Sequence, residues 1–177
     1  MRNYLQAMVD LRKNMGKPTD FKYYCMEDFV LQHGKQFESK KLSQEELDYV
    51  NRLLHKRSFP IKQCFSNTFM LVGSSRNSMI YTEGFFLSVI PIHHAWASYR
   101  DAVIDPTIRL NLFKKEADLD RVIGEIPETL SYYGVKFDWT AVKKYMVGKK
   151  ATGSMLDDWK YNRWSALRGE LDEFVIK

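Results

Sequence analysis

The segment from His94 to Asp105 constrains the fold more than any other part of the sequence. Its first half has the composition of a strand, Arg100 and Asp101 can form a two-residue turn, and its second half returns antiparallel before Pro106 ends the ladder. With this turn, His94 and Asp105 become diagonal neighbours on one face of the sheet. A three-residue turn would reverse the parity and separate the two side chains. The sequence therefore predicts an antiparallel sheet in which His94 can reach Asp105.

Cys64 lies at the predicted start of a helix. Pro60 ends the preceding segment, and Phe65, Phe69 and Val72 recur at helical spacing. Free N–H groups and the positive end of the helix dipole stabilise a thiolate at this position, and a neighbouring imidazolium would stabilise it further. Because the thiolate is the nucleophilic form of cysteine, the sequence predicts that Cys64 attacks a carbonyl carbon.

The order Cys64, His94, Asp105 supplies a nucleophile, a base and a group that orients the base. Each residue also has a plainer interpretation. Cys64 can be a small buried hydrophobic residue, His94 a hydrogen-bonded histidine on a half-buried strand, and Asp105 the start of a turn. The presence of all three settings in this order favours the catalytic interpretation.

Four further residues are predicted to support this site. Gln63 and the backbone N–H of Cys64 are candidates to hold a developing oxyanion, and Asn67 lies one helical turn beyond the cysteine. Trp96 can form a packed wall beside the histidine ring. Glu83 lies in the middle of an aromatic strand, so it either faces solvent or pairs with a specific group near the site.

Several stretches of residues 60–110 together resemble the transglutaminase-like branch of the papain-like cysteine enzymes. They also resemble a group of small phage and bacterial proteins with the same pattern. These stretches are Gln63-Cys64-Phe65-x-Asn67, Tyr81-x-Glu83-Gly84, His94-Ala95-Trp96 and Val103-Ile104-Asp105-Pro106-Thr107.

The resemblance implies a fold and a set of roles. In that family a helix begins with the nucleophilic Cys, a strand begins with the His, and the next strand supplies the Asp, which assigns these roles to Cys64, His94 and Asp105. His93 has no place in the pattern and is predicted to be a bystander. Phe65 stands where the larger transglutaminases carry a Trp, so the resemblance supports the triad more directly than it supports cross-linking.

The order of the predicted elements indicates an α+β domain with a papain-like or transglutaminase-like core. Residues 1–58 are predicted to form a helical cover, with helices over 3–15 and 20–33 and a third that starts at a Ser43–Glu46 capping box. Residues 60–110 are the predicted catalytic core, in which the helix of Cys64 packs on a small antiparallel sheet whose first strand covers 79–87. Residues 111–177 are predicted to be helical, with helices over 118–123, 139–146 and 154–174.

Composition limits the class of protein. With 177 residues, 45% of them hydrophobic, the chain suits one domain with a substantial core. Its only cysteines, Cys25 and Cys64, do not form a disulfide framework, and Cys25 is predicted to belong to the core. The sequence has no apolar segment long enough to span a membrane and no signal-like start, which predicts a cytoplasmic protein of its own cell or of a host. No cofactor is predicted.

The expected substrate is a peptide, a protein or a small amide, and the sequence does not separate peptidase, amidase and transferase outcomes. Three alternatives remain. The chain can be a binding protein that kept the fold and lost catalysis, or a basic nucleic-acid-associated factor, since its formal charge is +5. A zinc site at Cys64, His93, His94 and Asp105 is disfavoured because no typical ligand spacing is present.

Overall fold

An antiparallel sheet and several helices make up residues 1–110, 121–149, 152–158 and 164–177, which this computed structural model describes. The predicted α+β class is confirmed. The helices are α1 (Arg2–Met15), α2 (Met26–His33), α3 (Gln44–His55), α4 (Cys64–Ser74), α5 (Trp139–Lys149) and α6 (Ser165–Arg168), with a short 3-10 helix at Asp172–Phe174. The strands are β1 (Lys35–Phe37), β2 (Ile80–Leu87), β3 (Pro91–Tyr99), β4 (Ala102–Asp105), β5 (Val122–Ile123), β6 (Ser131–Phe137) and β7 (Val175–Ile176).

The strand order is β1-β6-β2-β3-β4-β5, and every neighbouring pair is antiparallel. β7 pairs with the end of β6. Strand β6 therefore lies in the middle of the sheet, between β1 and β2, although the sequence predicted helices and linkers for residues 111–177. That prediction was wrong for β6 because its side chains pack on both faces of the sheet, with Tyr133, Val135 and Phe137 in one apolar cluster and Tyr132 in the other.

The hairpin of β3 and β4 has the predicted register. Arg100 and Asp101 form the two-residue turn, with φ angles of 49° and 70°, as a type I′ turn requires. The pairs that follow the turn are Tyr99–Ala102, Ser98–Val103 and Ala97–Ile104. Because this parity is kept, His94 and Asp105 project from the same face.

The N-terminal helices follow the predictions with one shortening. Helix α1 ends at Gly16, whose φ is 74°, and α3 begins with the predicted capping box of Ser43 and Glu46. Helix α2 begins at Met26 rather than at Asp20. The preceding residues are held in extended and turn conformations, because the backbone N–H groups of Lys22 and Tyr23 both donate to the carbonyl of Leu167.

The C-terminal predictions needed more correction. Helix α5 covers the predicted 139–146 and continues to residue 149. Of the helix predicted over 118–123, residues 118–120 lie outside the described residues, and the end forms β5 instead. In the described part of the segment predicted as one helix over 154–174, the structure has only α6 and the 3-10 helix, and Gly169 has a φ of 81°. Residues 159–163, including Trp159, are not among those described.

Each face of the sheet has its own apolar cluster. The larger cluster lies between the sheet and the helices and includes Leu71 of α4, Tyr81 of β2 and Val142 of α5. The smaller cluster covers the opposite face and consists of Phe37, Phe86, Trp96, Val103, Val122 and Tyr132. None of the helices in the described ranges combines the length and apolar character needed to cross a bilayer.

Candidate active site

Cys64 is the first residue of α4, as predicted, and its thiol is half-buried. The preceding turn includes Lys62 in the left-handed region, with a φ of 65°. Gln63 is the N-cap residue, but its exposed side chain makes no capping hydrogen bond. The backbone N–H groups at the start of the helix have no carbonyl partner within the helix, so they are oriented to stabilise a negative charge at the cysteine.

His94 and Asp105 form a buried pair. Nε2 of His94 donates to Oδ2 of Asp105 at 2.7 Å. Tyr132 of β6 donates its hydroxyl to the same oxygen at 3.0 Å. The other carboxylate oxygen accepts the backbone N–H groups of Thr107, at 2.9 Å, and Ile108, at 3.1 Å. Asp105 is thus an ionised acceptor that is fully enclosed by donors and fixes the orientation of the imidazole.

The electrostatics of this pair favour the charged forms. Burial alone lowers the pKa of His94, but the charge and hydrogen bond of Asp105, followed by the hydrogen bond and charge of Cys64, raise it to about 10. Burial raises the pKa of Asp105, but the charge and hydrogen bond of His94 and the N–H donors hold it below its usual value. The imidazolium form of His94 is therefore favoured by the carboxylate of Asp105 and, to a smaller extent, by Cys64.

Asn67 connects the nucleophile helix to the loop after Asp105. It is fully buried, and its amide donates to the carbonyl of Pro60 at 2.7 Å and to the hydroxyl of Thr107 at 3.0 Å. Asn67, predicted as a supporting residue one helical turn beyond Cys64, thus links α4 to the segment before it and to the loop after β4.

Trp96 forms the predicted wall beside the histidine. Its ring stacks on His94 with a centroid distance of 6.4 Å and meets Phe37 and Tyr132 edge to face. The ring occupies the space above Gly134, where an added Cβ would lie 2.5 Å from it. Trp96 and His94 therefore lie side by side on the same face of β3.

Glu83 does not face solvent, since its exposure is 0%. Tyr81 and His93 donate to its two oxygens at 3.0 and 2.8 Å. Ser154 donates its hydroxyl, and the N–H groups of Met155 and Leu156 donate at 2.9 and 3.1 Å. Burial raises the pKa of Glu83, but the hydrogen bond and charge of His93, with these other donors, lower it overall. Glu83 therefore pairs with specific groups, the second of its two predicted alternatives.

His93, predicted to be a bystander, is a hydrogen-bond partner of Glu83, with Nε2 at 2.8 Å from Oε1. It points to the face opposite His94, because neighbouring strand residues alternate. Its ring lies between Phe65 and Phe85, with centroid distances of 5.0 and 6.0 Å. Adjacent histidines on opposite faces do not converge on one ion, and within the described ranges no three His, Cys, Asp or Glu side chains are arranged to hold a metal.

Sequence reasoning missed two members of this neighbourhood. Tyr132 bonds to Asp105 across 27 positions of sequence, and Ser154 bonds to Glu83 across 71. Neither residue belongs to a recognisable motif, so only a correct placement of β6 would have indicated Tyr132. The other cysteine, Cys25, is buried as predicted, and burial raises its pKa to about 12.

Comparisons with known proteins do not assign the chain to a family. No protein-family model matches the chain, and no significant match is found among curated proteins or solved structures. The functional argument therefore depends on the geometry of the site.

Proposed function

We propose that this protein is a cysteine-dependent enzyme that hydrolyses or transfers the acyl group of an amide, isopeptide or thioester. The observation that carries the proposal is the buried His94–Asp105 pair with the thiol of Cys64 beside the imidazole. The arrangement of helix α4, strand β3 and strand β4 also fits a papain-like or transglutaminase-like core, the fold that the sequence motifs resemble.

In the proposed mechanism, the Cys64 thiolate attacks the carbonyl carbon and forms a tetrahedral intermediate. The backbone N–H of Cys64, with the exposed Gln63 nearby, stabilises the oxyanion. The imidazolium of His94 then gives its proton to the leaving amine or thiol, and an acyl-enzyme remains. Water or a second amine next loses a proton to neutral His94 as it attacks the thioester, and the thiolate is released. Asp105 holds the ring in position throughout.

The proposal can be tested by mass spectrometry of the protein after brief treatment with limiting iodoacetamide at pH 7. Cys64 should be alkylated at least about tenfold faster than Cys25, because burial keeps Cys25 protonated and inaccessible. His94→Ala should slow the labelling of Cys64 markedly. His55→Ala, which removes an exposed imidazole at the end of α3, should leave the rate unchanged.

A second measurement tests acyl transfer itself. On mixing with a p-nitrophenyl ester, the wild-type protein should gain one acyl group on Cys64, and the deacylation rate should fall in His94→Ala. Equal labelling of the two cysteines, or an unchanged rate in His94→Ala, would exclude the enzyme and favour a binding protein on this fold. The proposed substrate is a peptide, a protein or a small amide met in the cytoplasm.

A further inference from the structure

Glu83 is a buried carboxylate whose hydrogen-bond partner His93 packs against Phe65, the residue that follows Cys64. Its carboxylate lies on the face of the sheet that α4 covers, and Tyr81, which donates to it at 3.0 Å, lies on the same strand face. The pKa of Tyr81 is raised well above its usual value first by burial, then by Glu83, and also by the charge of Cys64. Cys64 and Glu83 therefore act electrostatically on the same hydroxyl.

A carboxylate in this position would oppose ionisation of the cysteine, since like charges repel strongly where water is excluded. The donors from Tyr81 and Ser154 satisfy the oxygens of Glu83 but carry no charge. His93 is different, because its imidazole can bring a full positive charge to 2.8 Å from Oε1. Its ring also packs on Phe65, the residue that follows Cys64.

We propose that His93 is a positioning residue of the Cys64 site, whose charge offsets that of Glu83 and so allows the thiolate to form. The inference rests on the proposed function. It gives the two adjacent histidines separate tasks: His94 pairs with the thiolate, and His93 offsets the carboxylate of Glu83.

Other titratable groups around the site keep their own partners. They come from the strands and helices packed around α4, and they are Tyr81 of β2, His94 of β3, Asp105 of β4 and Tyr145 of α5. Lys62 is exposed to solvent beside the start of α4, so its charge is screened. Among the groups named here, removal of His93 leaves the carboxylate of Glu83 without a cation beside it.

The test is the pH profile of Cys64 alkylation by iodoacetamide in four proteins: wild type, His93→Gln, His93→Lys and the double variant Glu83→Gln/His93→Gln. In His93→Gln the amide can still donate to Glu83 but brings no charge. We expect alkylation at pH 7 to slow about three- to tenfold and the profile to move to higher pH. His93→Lys keeps a cation and should remain within about twofold of wild type. The double variant removes both charges and should recover most of the lost rate.

Recovery in the double variant is the decisive outcome, because a role in packing alone would not be restored by a second substitution. If His93→Gln matches wild type, or if His93→Gln and His93→Lys are equally slow, the inference is wrong. Should the double variant fail to fold, as judged by thermal unfolding, the comparison of the Gln and Lys variants still decides. Failure of the proposed function would appear differently, as an alkylation rate that does not depend on His94.

Discussion

The amide of Asn67 donates to the hydroxyl of Thr107 at 3.0 Å and joins the first turn of α4 to the loop that follows Asp105. The same amide donates to the carbonyl of Pro60 at 2.7 Å. One buried side chain thus contacts both the segment before Cys64 and the loop whose N–H groups bind the carboxylate of Asp105. Cys64 and Asp105 come from separate elements, and this connection joins those elements.

Asn67→Ala should weaken both the fold and the site. The change removes two hydrogen bonds and leaves the buried hydroxyl of Thr107 without this donor, which costs about 1–3 kcal/mol of the free energy of unfolding. Alkylation of Cys64 should slow even under conditions where the variant is fully folded. Urea unfolding and timed alkylation measure the two effects. Thr68→Ala is the control, because the neighbouring hydroxyl is also buried but has no hydrogen-bond partner within the described residues; an equal loss of reactivity there would contradict the prediction.

Tyr132→Phe should lower stability through Asp105. The phenol donates to Oδ2 at 3.0 Å, and burial followed by the charge of Asp105 raises its pKa well above the usual value, so it remains a donor. Its loss should cost about 1.5–3 kcal/mol, as for hydrogen bonds to charged groups. Tyr133→Phe is a matched control on the opposite face, where the hydroxyl donates to the carbonyl of Gly34 at 3.3 Å. Denaturant titration should show the larger loss in Tyr132→Phe, and the reverse order would be evidence against this account.

Gly134→Ala should disturb the wall beside His94. A Cβ at this position would lie 2.5 Å from the Trp96 ring and 2.8 Å from the carbonyl oxygen of Glu83. Relieving these contacts requires movement of a buried indole, at a cost of about 1–3 kcal/mol. Near-ultraviolet circular dichroism should report the displaced ring. Gly148→Ala meets open space on α5 and should be neutral or stabilising by up to about 1 kcal/mol, so similar losses in both variants would contradict the prediction.

The free energy of unfolding should depend on pH through His94 and Asp105. The pKa of folded His94 is about 10, above its ordinary 6.5, so its contribution is complete below pH 6.5 and is lost as the pH rises through about 10. The lowered pKa of Asp105 makes its contribution complete above its ordinary 3.8, and this is lost as the pH falls through the folded value. The difference in the free energy of unfolding between wild type and His94→Gln should therefore be largest between pH 3.8 and pH 6.5. It should shrink as the pH rises toward 10. Urea titrations across the range measure it, and a constant difference would count against the pair.

Local patterns predicted the parts of the fold that depend on neighbouring residues. The capping box of Ser43 and Glu46, the start of α4 at Cys64 and the turn at Arg100 all follow from interactions within a few positions. The two-residue turn then fixed the parity that brings His94 to Asp105. The core of the candidate site was therefore predictable from sequence, although its activity is still to be measured.

The parts that were missed depend on distant partners. In the sequence, Gly134 suggested a linker between helices. In the structure it lies within β6, where the ring of Trp96 leaves no room for a Cβ atom. The apolar residues Leu156, Leu167 and Leu171 recur at helical spacing, yet the N–H of Leu156 donates to Glu83 of β2 and Gly169 interrupts the segment at φ 81°. No local pattern reports such contacts, because they form only once the sheet is assembled.

The position of β6 has a consequence for synthesis on the ribosome. This strand pairs with β2 along most of its length and brings the hydroxyl of Tyr132 to Asp105. A nascent chain that has emerged only as far as Asp105 already carries the cysteine, the histidine and the aspartate but lacks this strand. The hydrogen-bond shell of Asp105 is therefore completed only after residue 137 has left the ribosome, when β6 can pair with β2 and bring Tyr132 to the carboxylate.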